Sequence, residues 1–492
     1  MFTAIARAAL MLSAALLLSA CGNGSAVTAG DGAPVASAPP DGTEPRAGLG
    51  CSWLAVSDIE TTNVAFPDAG ARYWLALVPN IPGTRLRIDG RYPDARYFSF
   101  NVYDPLLRPI DAIADVEIAP DEAGRNPFRN PDAGPGAGYT AFVEFTGRPD
   151  QPAPNSIYSG QVDLGPGLPN PLTAMLYRTY VPADFEDFKG GVGLPQLALE
   201  TTDGSNELLP LGACEEAPLP NAFGLLPGVP LNDLIVGADY PDAVDQALGL
   251  NLPLATSPPS TRVFYGLPDT ALAVLGNLLP AELPLTDALP EQTAGGGGFL
   301  SNVHNAYTST GFDRAFGDIY LLRARAPTFP GDARAASSGA RPNLRYWSVC
   351  QNEFATQRFV DCVIDRDAPL DAEGFFTVAV SDAADRPGNA VADAGIAWLP
   401  WGGIYKDGIL IYRHMLPADD FAEAIHNVPR GTDPDAVMGD YFPQATYCSR
   451  ATFEAAGGDA AEIFAACAAE QAERAPGGLL GPVLNASGAA GR

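Results

Sequence analysis

Short apolar runs recur along this chain, each closed by turn-forming residues. Tyr97-Phe98-Ser99-Phe100-Asn101-Val102-Tyr103 is aromatic and β-branched and stops at Asp104-Pro105. Phe375-Phe376-Thr377-Val378-Ala379-Val380 and Gly408-Ile409-Leu410-Ile411-Tyr412 have the same character. Such side chains suit a pleated, half-buried surface, so each run predicts a strand. Residues 215–299 alternate Pro/Leu loops with short helical stretches such as Ala243–Leu250 and Asp269–Leu278, and the Ala/Glu-rich residues 448–474 read as helical. Short strands at turn-punctuated intervals predict a mainly β chain, built as antiparallel sandwiches of the jelly-roll kind with short helical segments. The 52 glycines and 47 prolines favour many turns over long helices.

The strand blocks are written twice. Pro93-Asp94-Ala95-Arg96-Tyr97-Phe98-Ser99 is answered by Pro342-Asn343-Leu344-Arg345-Tyr346-Trp347-Ser348. Upstream, Pro82-Gly83 and Pro330-Gly331 follow the runs Tyr73–Val78 and Ile319–Ala324. Downstream, Gly138–Phe145 answers Gly374–Ser381, and Leu176–Phe185 answers Ile411–Asp419. The chain reads as a tandem duplication, with sandwiches over 51–214 and 300–433. A Pro/Leu-rich connecting segment over 215–299 ends in the glycine joint Gly295–Gly298. A disulfide-bonded helical terminus over 434–474 and a disordered Gly/Ala-rich tail over 475–492 complete the reading.

Residues 1–20 carry Arg7 and then an apolar run from Ala8 to Ala20, too short for a bilayer span of roughly 20 apolar residues. Leu18-Ser19-Ala20-Cys21 looks like a bacterial lipobox. It predicts a signal peptide cut before Cys21 and a diacylglycerol on the Cys21 thiol; the alternative is an ordinary secretory signal with a coincidental cysteine. Residues 21–50 would be a flexible tether. The expectation is an exported lipoprotein whose one membrane partner is the lipid bilayer, reached through Cys21. It would sit in the bacterial cell envelope, at the outer membrane or in the periplasm of a Gram-negative host. Six cysteines follow Cys21, an even number that suggests three disulfides in an exported chain. Fifteen pairings are formally possible. Proximity in sequence favours Cys350–Cys362 and Cys448–Cys467, which leaves Cys51–Cys214.

The formal charge of −29, with Lys189 and Lys406 the only lysines, argues against nucleic acid as a partner. There is no Gly-x-Ser-x-Gly elbow, P-loop, dinucleotide fingerprint or His-Glu-x-x-His, and only three histidines. No metal and no cofactor is therefore expected. The acids Asp361, Asp365, Asp367 and Asp371 lack the Ca²⁺-loop spacing and read as a solvated face.

Arg345-Tyr346-Trp347-Ser348, the Gly-Phe-Phe-Thr-Val strand, Trp398-Leu399-Pro400-Trp401-Gly402 and Ile411-Tyr412-Arg413 resemble the bacterial domain-of-unknown-function family numbered 1214, commonly paired with the one numbered 1254. The resemblance covers about 130 residues of the second half and, more faintly, the first. It implies an exported β-sandwich and no particular reaction.

The candidate site comes from what differs between the copies. Trp347 replaces Phe98, His414 replaces Thr179, and Trp398, Trp401 and Tyr405 have no clear counterpart. With Arg345, Arg413, Glu353 and His304 they would form an aromatic and polar surface for a small or polymeric ligand, such as a glycan or envelope component. Arg345 and Arg413 recur as Arg96 and Arg178, so a shared folding role, pairing with Asp184 or Asp419, competes with ligand contact. The rival functions are a hydrolase using His414 or His304 with Glu353 or an Asp, and a structural envelope scaffold.

Overall fold

A computed structural model describes residues 52–212, 255–266, 300–474 and 477–478, less 61–62, 64–65, 106, 163–167, 335–338, 340, 355–356 and 403–406. The signal peptide, Cys21, the tether, both helices expected within 215–299, Tyr405 and the Cys51–Cys214 bridge lie outside those residues.

The chain is mostly β, as its patterning predicts. The first half supplies β1 (Ala55–Ser57), β2 (Ala71–Pro79), β3 (Thr84–Arg91), β4 (Ala95–Tyr103), β5 (Pro109–Ala114), β6 (Gly138–Glu144), β7 (Ser156–Tyr158), β8 (Leu172–Pro182), β9 (Gln196–Thr201) and β10 (Leu208–Pro210). They form two sheets, β1-β2-β8-β4-β5 and β10-β9-β3-β6-β7. Phe98, Phe100, Tyr139, Tyr177, Leu86 and Ile88 fill the space between them.

The second half supplies β11 (Thr256–Ser257), β12 (Thr261–Phe264), β13 (Asn305–Asp313), β14 (Ile319–Arg325), β15 (Leu344–Asn352), β16 (Phe359–Ile364), β17 (Phe375–Ser381), β18 (Ile396–Pro400), β19 (Asp407–Pro417), β20 (Gln444–Cys448) and β21 (Gly477–Gly478). Its main sheets are β12-β13-β19-β15-β16 and β18-β17-β14-β20. Strand for strand, β12 to β20 repeat β1 to β9. The parallel pair β6 with β7 in the first half recurs as β17 with β18. A bulge at Val102/Tyr103 recurs at Gln351/Asn352. Val181 and Leu416 leave their strands at positive φ, 49° and 44°. That conformation is costly for a bulky side chain, most of all for a β-branched one such as Val181. Equivalent backbone bonds hold it, Val181 N–H to Gly70 O and Leu416 N–H to His304 O.

Four sequence expectations need correction. Tyr73–Val78 lies in β2 and Ile319–Ala324 in β14, which are not counterparts: β2 answers β13, and β14 answers β3. The polar sequence of β13, Asn-Ala-Tyr-Thr-Ser-Thr-Gly, hides that match. The second sandwich begins before residue 300, because β12 pairs with β13 along its whole length. Nor is 434–474 a separate terminus. β20 pairs with β14, and the helices α1 (Pro434–Met438), α2 (Arg450–Ala455) and α3 (Ala460–Glu473) close the sandwich. Ile463 and Cys467 of α3 pack on Ile319, Leu321, Ala379 and Ile396. Part of the expected tail is also structured, since β21 pairs with β11. The expected bridges Cys350–Cys362 and Cys448–Cys467 are present. The first joins β15 to β16 at the register position where the first copy has Asn101 opposite Ala112.

The two sandwiches meet along the faces of β4, β8, β15 and β19 that point away from their own cores. Phe98, Phe100 and Val102 point into the first core, while Tyr97 of the same strand joins Tyr180, Val181, Tyr346 and Met415 between the copies. Coverage on both faces explains why β4 and β8 are buried almost without interruption.

The contacts across this seam are reciprocal. The segment before β2 reaches the second copy, where Phe66 N–H donates to Gln357 O at 2.9 Å. The segment before β13 reaches the first, where Leu300 N–H donates to Leu107 O at 2.8 Å. Arg96 pairs with Asp365 at 2.5 Å, and Arg345 pairs with Asp115 at 3.2 Å. Asp68 accepts from Tyr346 Oη at 2.5 Å and from Ser348 Oγ at 2.7 Å, and lies 3.4 Å from Arg413 Nη1.

Removing one partner of a buried pair leaves an uncompensated charge, a loss of about 3–5 kcal/mol. Asp68→Asn is expected to lower unfolding stability by about that much in urea titrations followed by tryptophan fluorescence. Arg325→Ala, which breaks an exposed pair with Asp440, is expected to cost about 1 kcal/mol or less.

Candidate functional site

The tryptophans do not share a cleft. Trp347 is fully buried, stacked on Phe376 at 5.0 Å, with its Nε1–H on Pro327 O at 2.9 Å. Trp401 is buried against Phe312 at 4.9 Å in the same core. Trp398 is half-buried with the α3 cluster, donates to Ser381 Oγ at 2.9 Å and carries Arg386 over its ring. The aromatic surface expected for the second copy is therefore interior packing. Rings this large contribute most when fully removed from water.

His414 is also buried. Its Nδ1 accepts the Ile425 N–H at 3.2 Å. In the first copy Thr179 performs the same task, donating Oγ1–H to Phe188 O at 2.7 Å. Burial holds the His414 pKa well below the usual imidazole range. A general base facing a cleft is thus replaced by a loop anchor. His304 lies at the seam, with Nδ1 2.8 Å from Tyr97 Oη and Nε2 3.9 Å from Glu117 Oε2. Burial, and then the charge of Arg178, push its pKa down to about 4. His426 sits beside it, Nε2 to His304 O at 3.1 Å, and burial lowers its pKa too. Glu353 is buried at the turn after β15, where its N–H bonds Arg358 O at 2.9 Å.

Arg345 and Arg413 have neither of the local partners expected of them. Their carboxylates, Asp115 and Asp68, come from the other copy. The acids read as a solvated face also divide. Asp365 is buried against Arg96 and Asp371 pairs with Arg323, while Asp367 is exposed beside Arg366. Burial raises the pKa of Asp115 and of Asp365 to about 6, against the pull of their arginines. Asp68 lies near Cys350 and Cys362, but both sulfurs are in a disulfide and offer a metal no thiolate.

Asp68, Asp115 and Asp365 were not singled out from sequence. A signal existed for two of them: an aspartate follows each Arg-Tyr strand at nearly the same interval, Asp115 after Tyr97 and Asp365 after Tyr346.

A shallow groove of about 330 Å³ opens where the two Arg-Tyr strands begin. Pro93, Asp94, Ala95 and Arg96 line it from one copy with Pro127, Phe128 and Pro135, and Pro330 and Arg345 from the other. The Arg345 guanidinium lies 5.6 Å from the Phe128 ring. Arg345 spends only Nη1 on protein acceptors, and Arg96 does likewise, so Nε and Nη2 of both keep spare N–H donors among the described residues. A second groove of about 300 Å³ is lined by Arg323, Phe375, Asp440 and Phe464, among others. No histidine lines either one.

The class defined by this geometry is a tandem pair of β-sandwiches joined by a reciprocal seam. No protein-family model and no curated protein matches the chain. Among solved structures it is similar to an uncharacterised protein from Burkholderia cenocepacia, with 16% identity and a TM-score of 0.40, over 80% of this chain and 82% of that one. It is also similar to the VPA0106 protein from Vibrio parahaemolyticus, with 14% identity and a TM-score of 0.36, over 77% of this chain and 88% of that one.

All three histidines have folded pKa values below the unfolded value near 6.5. The unfolded chain therefore binds more protons below that pH, and the histidine contribution to stability is present above about 6.5 and lost as pH falls toward the folded values. Asp115 and Asp365 act in the opposite sense: their contribution is present below about 3.8 and lost as pH rises through about 6. Proton NMR of the histidine rings separates the two effects. At a pH of about 5.5, where a free imidazole is mostly protonated, the His304 and His414 rings are expected to remain neutral, and His426 to titrate below a free imidazole. A ring titrating near 6.5 would contradict its placement.

Proposed function

We infer that this chain is an exported lipoprotein, anchored through Cys21, which binds a neutral hydroxyl-rich ligand such as a glycan fragment in the groove between its two copies. The observation that carries this reading is the pair of guanidinium groups at the groove, each already neutralised by a buried aspartate yet keeping spare N–H donors. Donors whose charge is matched suit hydroxyl oxygens better than a full anion. Phe128 and the four prolines offer apolar faces to the C–H side of a sugar ring. The net charge of −29 further disfavours a polyanion. A hydrolase reading has no histidine in this groove to support it. Kinship with the paired families 1214 and 1254 belongs to the same proposal, on the Arg345-Tyr346-Trp347-Ser348 and Trp398-Leu399-Pro400 blocks.

Calorimetric titration with neutral envelope oligosaccharides tests the groove. Phe128→Ala should weaken binding about tenfold, the value of one aromatic contact, while Phe375→Ala in the second groove should not. Binding that is undetectable at roughly 10 mM, or equal in both variants, would remove the reading; affinities weaker than this fall below those of specific sites. For the anchor, labelled palmitate should enter the wild-type chain in cells and fail to enter Cys21→Ser.

A further inference from the structure

The seam is largely reciprocal, but one charge is not matched on both sides. Arg413 faces Asp68, delivered by the segment before β2. Its counterpart in the first copy is Arg178, equally placed in the sheet: Tyr73 is opposite Arg178 in register as Tyr307 is opposite Arg413. The position that answers Asp68 is Asn302, which exchanges hydrogen bonds with Tyr97 as Asp68 accepts from Tyr346. The carboxylate is missing from one side.

Arg178 is nevertheless 2% exposed. Its Nη1 donates to Tyr103 Oη at 2.5 Å and its Nη2 donates to Leu300 O, while Nε has no partner. No carboxylate pairs with it among the described residues. A buried guanidinium with only neutral acceptors carries an uncompensated desolvation cost. A second buried donor nearby is also unsatisfied. Tyr103 Oη donates to Ser301 O at 2.8 Å, which places Ser301 against the same tyrosine, and Ser301 Oγ has no partner. In the second copy the corresponding residues are Asn352 and Pro67, neither of which provides a hydroxyl. The first side has thus lost an acid and gained hydroxyl donors.

We propose that Arg178, with Ser301, binds a small monovalent anion of the halide class inside the seam, doing for Arg178 what Asp68 does for Arg413. The two unsatisfied donors supply its hydrogen bonds, and the guanidinium supplies the opposite charge. Both donors are buried, which favours a small ion, and neither belongs to the lining of the groove at Arg96 and Arg345. A protein that ties its halves together through such an ion is stabilised by the halide of its surroundings, since a ligand bound only to the folded state raises its stability.

The test uses the purified full chain exchanged into gluconate, too large an anion to enter, with chloride or bromide added at constant ionic strength. Wild type should show a saturable rise in Tm, about 3 °C at a hundredfold excess over the dissociation constant. Asn302→Asp supplies the absent carboxylate, so it should be more stable in gluconate and indifferent to chloride. Crystals grown with bromide should show an anomalous peak beside Arg178. An equal chloride response in wild type and Asn302→Asp, or none in wild type, overturns the proposal. So does tyrosinate absorbance at neutral pH, which would make Tyr103 the counter-charge. A null result for the oligosaccharide titrations leaves this test unaffected.

Discussion

Everything in this molecule depends on an exchange. Each copy sends the segment ahead of its long β2-type strand into the other, and each receives an aspartate for an arginine it could not otherwise bury. Arg96 finds Asp365, Arg345 finds Asp115 and Arg413 finds Asp68. Because the partners lie on opposite copies, neither half satisfies its own charges when alone. The geometry is that of a two-fold dimer interface, in which residue i meets j and j meets i. Here one chain covers both sides, so the symmetry is free to decay residue by residue. Asp68 opposite Asn302 and Gly70 opposite His304 show the decay under way. A Cβ at Gly70 would lie 2.6 Å from the Tyr346 hydroxyl, so the two sides can no longer hold the same side chain.

The same logic explains the fate of the second copy's aromatic residues. Trp347 and His414 are opposite each other in register on β15 and β19, as Phe98 and Thr179 are on β4 and β8. The larger ring and the imidazole thus entered at one cross-strand position. There His414 accepts a loop N–H where Thr179 donates to a loop carbonyl. A difference between copies can report repacking of one site as readily as a gain of recognition. In an interior packed near crystal density, a change at one residue is compensated by its neighbour.

Much of the fold was legible in the sequence. The Arg-Tyr strand, the Gly-Phe-Phe strand and the Tyr-Arg strand each form where periodicity and turn residues place them, and two local disulfides follow from spacing. β13 was not legible, because its polar side chains face a partner sheet and the seam, and polarity along a strand is ordinarily a sign of solvent. β12 and β20 were missed for a different reason: both are edge strands whose pairing partners lie far away in sequence, and pattern alone does not identify a partner. The site was least legible. Arginine and aspartate say that a charge needs company, but only the topology says that the company comes from the other copy.

That last point bears on where function can reside in such a chain. Duplication hands a protein two equivalent polar positions at every point of its seam, and folding needs both satisfied. Once one side relinquishes its internal counter-ion, as Asn302 does beside Arg178, the unsatisfied donors are held in place by the intact side and by the cores above and below. Rigid, buried and unsatisfied groups are what a selective small-ligand site requires, since the ordering cost has already been met by folding. The Arg96–Arg345 groove follows from the same principle at the rim: charge matching by Asp365 and Asp115 fixes both guanidinium groups while leaving part of each free to bond outward. In this fold the unsatisfied polar groups gather at the seam and its rim, whereas Trp347 and Trp401 are packed inside the second core.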